Sequence, residues 1–502
     1  MHLAFIETRS QAGISAPPVT VEVHLSAGLP AFQVVGVTDA ASREIRSRVR
    51  SAIVSSHLKW PDFNITINLS PTEQVKQGAR FDLPIAIGLL VASNQLPRET
   101  IEHREFLGEL SLDGSLRPCH GALSATLSAT DAKHMLCVAP DGAAQLASVP
   151  GSRILAATDL LSLCAALQAR EPALVKPGSD PLAPTPHYPD LSQLRGQPFL
   201  CRALELAAAG GHHLLMCGPP GVGKTLAASV LPGLLPPLQP KTQQQIWLIR
   251  DLMGLPRVSG PTFRAPHHSS SIAALIGGTA RATPGEISMA HGGVLFLDEV
   301  TEFPRAVLNQ LRQPLESGDI TVIRAQHQYR YPARFQLVAA MNPCPCGQAD
   351  SEDGGCRCSP DIIRRYRQSV SGPLTARSDL HVTLTTPPPE QLLSPPPERR
   401  LSAHLMQRIA SVQAHQYERQ GCLNRDLSGE RALAVCALSA TTRARFIEAL
   451  ASLSLSARSA HRRLRVARTL ADLDGMEDVS MAHLNTALSF RETPTEVGGV
   501  KG

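Results

Sequence analysis

The sequence predicts an α/β chain in three folded parts: two successive α/β domains and a smaller helical domain at the C-terminal end. Three observations lead to this prediction. Strand-like and helix-like runs alternate over the first 174 residues, a glycine-rich motif follows an apolar strand near residue 218, and helical periodicity dominates after residue 400. The second α/β part predicts a doubly wound parallel sheet, because its apolar runs suit strands buried on both faces.

Two proline-rich stretches mark the boundaries between these parts. VKPGSDPLAPTPHYPD and TTPPPEQLLSPPPERR have little periodicity and predict linkers. The predicted order is an accessory α/β domain at 1–174, a linker at 175–190, a nucleotide-binding core at 191–384, a connector at 385–400, a helical domain at 401–490 and a flexible tail at 491–502.

Composition and charge are those of an ordinary globular protein, with 43% hydrophobic and 18% charged residues. The net charge of +5 permits a nucleic-acid partner without requiring one. The N-terminus lacks the pattern of a secretory signal, and the longest apolar run, at 83–92, is about half the length that a bilayer crossing needs. Most cysteines lie singly in apolar runs, as in reduced proteins. We expect a cytoplasmic protein with no membrane partner.

The stretch GPPGVGKT at 218–225 matches the phosphate-binding motif G-x-x-x-x-G-K-[ST] between an apolar strand and a helix-forming segment. Backbone N–H groups of such a turn face phosphate oxygens. Lys224 would reach the β- and γ-phosphates, and Thr225 would hold Mg²⁺. The predicted ATP-binding residues of the motif are Gly218, Pro219, Pro220, Gly221, Val222, Gly223, Lys224 and Thr225.

Two further predicted strands end in side chains that suit ATP hydrolysis. GGVLFLDEV ends in Asp298, which would orient Mg²⁺, and Glu299, which would polarise the attacking water. RFQLVAAMN ends at Asn342, whose amide would contact the γ-phosphate and that water. Polar residues also end strands as simple turn formers. The order of these two strand ends along the chain, after the phosphate motif, favours a P-loop ATPase that uses ATP and Mg²⁺.

Several long motifs carry a family resemblance that extends over nearly the whole chain. They are RAPHHSSSIAALIGG, PGEISMAHGGVLFLDEV, LRQPLESG, AAMNPCPCG and SGPLTARSDLHV. These motifs resemble the YifB/ComM family, AAA+ ATPases related to the magnesium-chelatase ATPase subunit. The resemblance implies a homo-hexameric ring that hydrolyses ATP between subunits and moves along DNA. It also implies branch migration and heteroduplex extension during natural transformation.

The resemblance further implies two arginines that complete the ATP site. Arg377, in LTARSDL, would be the finger that reaches the neighbouring subunit's nucleotide, and Arg458, in LSARSAHRRLRVARTLADLDG, would contact the γ-phosphate from the helical lid. A solvated loop arginine is the alternative for Arg377. A plain basic surface is the alternative for the other arginines of that helix.

The run GDITVIRAQHQYRYPARFQ at 318–336 predicts a β-hairpin. In related ring helicases such a hairpin projects into the pore, which implies that Arg324, His327 and Arg330 contact the backbone of single-stranded or branched DNA. A solvent-exposed hairpin with ordinary polar side chains is the alternative. The adjacent histidines His267 and His268 are expected to be structural or to face DNA rather than to bind a metal.

The N-terminal part resembles the Lon protease domain through GARFDLPIAIGLLVASNQL and FLGELSLDGSLRPCHGAL. A Lon-type site needs a serine that a lysine activates. Arg80, Phe81 and Asp82 occupy the serine position, and the lysine region reads SATLSAT. We therefore expect a Lon-protease-like accessory domain that lacks the serine and lysine. Its basic segment REIRSRVRSAIVSSHLKW predicts a helix that faces either phosphate or solvent.

Four of the 11 cysteines lie within one short stretch, as Cys344, Cys346, Cys356 and Cys358. Four thiolates can close a tetrahedral Zn²⁺ site, although the usual spacing is C-x₂₋₄-C rather than C-x-C. Three interpretations stay open: a zinc site, reduced structural thiols and a redox switch.

A second functional hypothesis is a chelatase-type remodelling ATPase that acts on a protein partner. Chelatase ATPase subunits generally lack both the Lon-like domain and the cysteine cluster, so the sequence favours the DNA motor. The absent serine and lysine argue against a protease.

Overall fold

The computed structural model describes residues 2–71, 78–178, 184–278, 283–324, 327–349, 355–370, 374–388, 390–391 and 401–491. The order of elements confirms the predicted fold class: a Lon-protease-like α/β domain, a P-loop core on a parallel sheet and a helical lid. Parts of both proline-rich linkers and nearly all of the predicted tail lie outside the described residues.

The N-terminal domain is built on one seven-stranded sheet in the order β3-β4-β2-β1-β5-β8-β9, with β6 and β7 paired separately. Its strands are β1 Leu3–Arg9, β2 Pro18–Ser26, β3 Ala31–Val35, β4 Asn64–Ser70, β5 Arg104–Phe106, β6 Glu109–Leu110, β7 Leu116–Arg117, β8 Met135–Val138 and β9 Ile154–Ala156. Its helices are α1 Asp39–Ser55, α2 Asp82–Ala92, α3 Ala122–Asp131, α4 Ala143–Ala147 and α5 Leu160–Gln168.

Helix α2 forms the centre of this domain and is buried along its whole length. It packs on β1 and β2, and a Cβ at Gly88 would lie 2.6 Å from Val23 Cγ2, so only glycine allows this close approach. The alternation in NITINLS places Ile65, Ile67 and Leu69 of β4 in the same core. The long apolar run of the sequence is therefore a core helix.

The second domain, the core, contains a five-stranded parallel sheet in the order β11-β12-β15-β10-β16. The sheet strands are β10 Leu214–Cys217, β11 Phe263–Arg264, β12 Val294–Leu297, β15 Gln336–Met341 and β16 Leu380–Thr383. Two further strands of this domain, β13 Asp319–Arg324 and β14 His327–Pro332, form a separate antiparallel hairpin. Its helices are α6 Pro198–Gly210, α7 Lys224–Val230, α8 Pro240–Leu252, α9 Ile272–Ile276, α10 Glu286–Met289, α11 Arg305–Gln310, α12 Arg312–Ser317 and α13 Pro360–Ser369.

The three apolar runs singled out in the sequence are the three central strands, β12, β15 and β10. Every residue of β12 and β15 is buried, as a parallel sheet covered on both faces requires. Their register pairs Leu214 with Val338 and Val294 with Gln336, so the strands end close together at one edge. That edge carries the phosphate motif.

The lid comprises α14 Leu401–Gln420, α15 Gly429–Cys436, α16 Ala440–Ser452, α17 Ala457–Leu473 and α18 Met481–Ser489. It shares one hydrophobic cluster with the core, through residues such as Leu204 of α6 and Leu470 of α17. Phe199 also stacks on Phe490 with a centroid separation of 4.5 Å. The lid is therefore packed on the core as part of the same hydrophobic unit.

The N-terminal domain contacts the core through helix α8. Leu248 and Trp247 of α8 pack with Leu123 and Ala125 of α3, and the Leu123 N–H donates to Asp251 Oδ2 at 2.9 Å. Among the described residues, no helix is long and apolar enough to span a membrane.

An ion pair between α1 and α2 explains one of the basic side chains in the accessory domain. The Arg48 guanidinium donates to both Asp82 oxygens, at 2.7 and 3.0 Å, and the Asp82 side chain is fully buried. Burial raises the pKa of Asp82 to about 6, although Arg48 opposes that shift. Arg48 is thus an internal partner.

We predict that Arg48→Met lowers the unfolding free energy of the N-terminal domain by about 3 kcal/mol at pH 8, because it leaves a buried carboxylate unpaired. The loss should shrink at pH 5.5. The folded pKa of Asp82 is raised and rises further without Arg48, so protonation neutralises the side chain as pH falls. Urea unfolding followed by Trp60 fluorescence in a Trp247→Phe background measures both values. Arg50→Met, an exposed change on the same helix, is the control, and equal losses for both would contradict the prediction.

Candidate nucleotide-binding site

The glycine-rich turn between β10 and α7 holds Lys224 at the edge of the sheet. Gly221 and Gly223 have φ values of +80° and +94°, a backbone region that favours glycine. Lys224 Nζ donates to the carbonyl oxygens of Gly218 at 2.6 Å and Pro219 at 3.0 Å. Burial lowers the pKa of Lys224, while the carboxylates of Asp298 and Glu299 oppose the shift. The motif therefore places one cation inside the turn, as predicted.

Thr225 and Asp298 meet across the ends of two strands. The Thr225 hydroxyl donates to Asp298 Oδ2 at 2.9 Å. A threonine hydroxyl and a carboxylate are hard oxygen ligands, which Mg²⁺ prefers. Both residues fit a magnesium ion that accompanies a nucleotide. In that complex the ion would neutralise phosphate charge.

Glu299 has an unusual backbone conformation. Its φ of +48° and ψ of 49° lie in the left-handed region, which costs a residue other than glycine about 1–3 kcal/mol. Its N–H donates to Asp298 Oδ1 at 3.0 Å, and its side chain is 53% exposed. This conformation turns the Glu299 carboxylate out of the strand direction, where solvent and a substrate can reach it.

His268 is a site residue that sequence reasoning did not place. Its Nδ1 lies 3.6 Å from Glu299 Oε2, and its ring is 4.1 Å from that of His267. The structure thus brings the insertion after β11 to the predicted catalytic carboxylate. The histidine pair was visible in the sequence, but the separation of 31 positions between His268 and Glu299 concealed the contact.

Asn342 joins the third strand end to the phosphate turn. Its Oδ1 accepts a hydrogen bond from Lys224 Nζ at 2.9 Å. The structure thereby brings together the predicted residues Lys224, Thr225, Asp298, Glu299 and Asn342 from three neighbouring strands. Such an arrangement can bind a nucleoside triphosphate and present a carboxylate to the attacking water.

Arg377 pairs with Glu316 at the end of α12, and its side chain is 9% exposed. The hydrogen bond from Arg377 lowers the pKa of Glu316, and the charges of Arg312 and Arg458 add to the effect. Arg458 is exposed in the first turn of α17. The structure therefore holds Arg377 against Glu316 and presents Arg458 on the surface of the lid.

The four cysteines of the cluster come together in space. The Sγ atoms of Cys344, Cys346, Cys356 and Cys358 all lie within 4.8 Å of one another. Three of the separations are 3.2, 3.7 and 3.6 Å. Tetrahedral zinc with Zn–S bonds of about 2.3 Å needs sulfurs about 3.8 Å apart, so the cluster fits zinc.

This cysteine knuckle, of which the structure describes residues 344–349 and 355–358, adjoins the candidate ATP site. A Cβ at Gly347, whose φ is +79°, would lie 2.8 Å from Pro220 Cδ in the phosphate turn. Helix α13 follows the knuckle, and its Tyr366 hydroxyl accepts a hydrogen bond from Thr301 at 2.8 Å, two residues after Glu299. The knuckle therefore lies against the phosphate turn, and the helix after it contacts the segment after β12.

The predicted hairpin is present as β13 and β14, in which Arg324 opposes His327. The side chains of Arg324 and His327 lie outside the described parts of the structure. Arg330 is 73% exposed and forms an ion pair with Asp319 on the opposite strand. A Cβ at Gly13 would lie 3.2 Å from the Arg330 carbonyl oxygen, so the N-terminal domain contacts the hairpin.

Comparisons with known proteins agree with this architecture. Three family models match: "Magnesium chelatase, subunit ChlI" at residues 190–392, "Subunit ChlI of Mg-chelatase" at 21–142 and "Magnesium chelatase, subunit ChlI C-terminal" at 399–491. The protein YifB of Salmonella typhimurium is 42% identical over 496 residues, which cover 98% of this chain and 97% of that protein. Competence protein ComM of Haemophilus influenzae is 41% identical over 500 residues, 98% of each chain. The chain belongs to the YifB/ComM family.

This YifB/ComM family member is also similar to Lon protease 2 of Bacillus subtilis, with 26% identity over 193 residues, 33% of this chain and 35% of that protein. Where the sequence predicts that a Lon-type serine is missing, the side chains are buried. Arg80 is 7% exposed and donates to Gln11 Oε1 at 3.3 Å, and Asp82 pairs with Arg48. None of these side chains is a nucleophile of the Lon type.

We predict different failures for two variants of the ATP site. Lys224→Ala should abolish nucleotide binding, because it removes the cation inside the phosphate turn. Glu299→Gln should retain binding and lower turnover by about 10²-fold or more, because the amide cannot polarise water. A fluorescent nucleotide measures binding, and phosphate release measures turnover. Lys241→Ala, an exposed lysine of the same core, should change neither; wild-type turnover in Glu299→Gln would disprove the assignment of that carboxylate.

Proposed function

We propose that this protein is an ATP-driven DNA motor that works as a homo-hexameric ring. The observation that carries the ATPase part is the meeting of Lys224, Asn342, Thr225 and Asp298 at one sheet edge. ATP binds in the phosphate turn with Mg²⁺ on Thr225 and Asp298. Glu299 polarises the water that attacks the γ-phosphate in line.

The position of the arginines supports the ring. Hydrolysis needs positive charge at the transferring phosphate beyond Lys224 and Mg²⁺, and an arginine finger supplies it in well-studied NTPases. Arg377 pairs with Glu316, and the charge of the exposed Arg458 acts on the same carboxylate. In the proposed ring, one subunit presents both arginines to a neighbouring nucleotide. Glu316 is the neutralising partner that a bound phosphate replaces.

DNA is the proposed polymer along which the ring moves. The relative named for competence covers nearly the whole chain, and the Lon-like domain is included in that match. In the described part of the hairpin Ile323 is 66% exposed, and Arg330 on the opposite strand can exchange Asp319 for a DNA phosphate. Contacts of this type follow the backbone without reading sequence, which suits branch migration and heteroduplex extension during transformation.

We expect branched DNA to stimulate the ATPase and the wild-type ring to displace a strand from a branched substrate. The measurement compares phosphate release with and without a synthetic junction and follows displacement on a gel, with Glu299→Gln as the inactive control. An assembled ring that hydrolyses ATP, ignores DNA and displaces no strand would exclude the motor. Stimulation by a protein partner instead would favour the chelatase-type remodelling ATPase.

For the hairpin, Arg330→Ala should weaken DNA binding and reduce the dependence of log affinity on log salt concentration by about 1, since one phosphate contact is lost. Fluorescence anisotropy at several salt concentrations measures this slope. Arg445→Ala removes an exposed arginine of the lid and should leave it unchanged. An unchanged slope in Arg330→Ala would mean that Arg330 contacts no DNA phosphate, and it would favour a solvent-exposed hairpin with ordinary polar side chains.

Zinc is the metal proposed for the cysteine knuckle. The support is the mutual approach of the four sulfurs, and a zinc ion bound by all four would crosslink the two C-x-C pairs. Bound zinc would fix the loop that packs on Pro220 and precedes α13. It would act structurally, since four protein ligands leave no open position.

We predict one zinc ion per chain in purified protein and its loss in Cys346→Ser. Since the knuckle packs on the phosphate turn, this variant should also lower nucleotide affinity. Elemental analysis and a fluorescent nucleotide measure the two effects. Cys422→Ser, which changes a cysteine in the lid, should keep both the metal and the affinity. Wild-type protein without zinc, together with unaltered nucleotide affinity in Cys346→Ser, would remove the ion and its structural effect.

A further inference from the structure

Side chains of the lid contact the backbone of the loop that carries Arg377, residues 374–379, which we call the finger loop. Its turn is closed by hydrogen bonds from the N–H groups of Arg377 and Ser378 to the Leu374 carbonyl, at 2.9 and 2.8 Å. Such a turn fixes the loop locally but leaves its direction free. Contacts from other elements must therefore set where the arginine points.

Arg462 of α17 provides two of those contacts. Its Nη1 donates to the carbonyl oxygens of Thr375 at 3.0 Å and Ser378 at 2.9 Å, which lie on either side of Arg377. A planar guanidinium that donates to two carbonyls fixes distance and orientation together. Arg462 therefore contacts the backbone of the finger loop on both sides of Arg377.

The next residue of the same helix continues this attachment. Arg463 is 3% exposed and donates to the Asp379 carbonyl through Nη2 and to the Ala487 carbonyl through Nη1. The Asp379 N–H in turn donates to the His213 carbonyl at 3.0 Å, just before β10. The finger loop is thus tied to the lid on one side and to the central sheet on the other.

The same helix carries Arg458 one turn before Arg462. Because an α-helix is rigid over such a distance, Arg458 and the loop attachment move together. A displacement of α17 would therefore carry with it both Arg458 and the Arg462 contacts to the finger loop.

We propose that Arg462 is the positioning residue of the arginine finger, through which the lid controls hydrolysis at the neighbouring subunit's ATP. This inference rests on the proposed ring ATPase. Arg462 touches the backbone of the finger loop rather than the nucleotide. Its loss would displace Arg377 without disturbing ATP binding in its own subunit, and misplacement of a catalytic group by about 1 Å costs about 10²-fold.

The test is a complementation experiment in mixed rings. Arg377→Ala supplies an intact phosphate turn without a finger, and Glu299→Gln supplies a finger without hydrolysis. Mixing the two before adding ATP should restore activity where an Arg377→Ala subunit faces a Glu299→Gln finger. Arg462→Met should behave as Arg377→Ala does: turnover falls about 10²-fold, the KM for ATP stays within about threefold, and mixing with Glu299→Gln restores activity.

Two more variants separate positioning from folding. Arg462→Lys keeps one donor and should recover part of the turnover, and Arg445→Ala, an exposed lid arginine, should leave turnover unchanged. The double variant Arg377→Ala/Arg462→Met should be no slower than Arg377→Ala alone, since both remove one finger.

The outcomes distinguish the positioning role of Arg462 from the proposed ring ATPase. Wild-type turnover in Arg462→Met, or a loss in Arg462→Met that Glu299→Gln does not rescue, overturns the positioning of the finger while the ring ATPase stands. Full activity in Arg377→Ala overturns the finger itself, and the positioning inference falls with it.

Discussion

A parallel sheet delivers the carboxyl ends of all its strands to one edge, and the chemistry of this chain depends on that constraint. Lys224 is where the three central strands meet: it donates to Gly218 after β10 and to Asn342 after β15. Asp298 and Glu299 after β12 oppose the fall in the pKa of Lys224 that burial causes. One ammonium group thus links the phosphate turn, the acidic strand end and the amide electrostatically.

The second constraint is that the remaining charge comes from elsewhere in the fold. The strand ends supply two carboxylates and an amide, which can hold Mg²⁺ and water but add no cation beyond Lys224. Arg377, on a loop before β16, pairs with Glu316, and Arg458 is exposed on the lid. Since the lid shares its hydrophobic cluster with the core, a change at the nucleotide can reach α17 through packed side chains.

The meeting of the candidate ATP-site residues at one sheet edge could be predicted from sequence because each part is encoded locally. The phosphate motif fixes Lys224 and Thr225, and an apolar run that ends in polar residues fixes Asp298, Glu299 and Asn342 at a strand end. These residues then meet at one edge of the sheet, because parallel strands bring their carboxyl ends to the same edge. The hairpin β13–β14 and the approach of the four cysteines followed from local patterns in the same way.

The features that could not be predicted are pairings between distant segments. Arg48 belongs to a basic run that suggested a phosphate-facing or solvated surface, yet it neutralises Asp82, 34 residues further along. Arg330 meets Asp319 across the hairpin, and His268 approaches Glu299. A periodic pattern states which face is polar, but it does not state which opposite charge will be brought to that face by the tertiary fold.

The segment in which the sequence predicts a missing Lon-type serine also contains a pairing between distant residues. The Arg80 guanidinium donates to Gln11. Gln11 in turn donates to the Gly13 carbonyl at 2.7 Å, in the turn that packs on the backbone of Arg330. The buried Arg80 is thereby linked, through Gln11, to the contact between the N-terminal domain and the hairpin β13–β14 of the core.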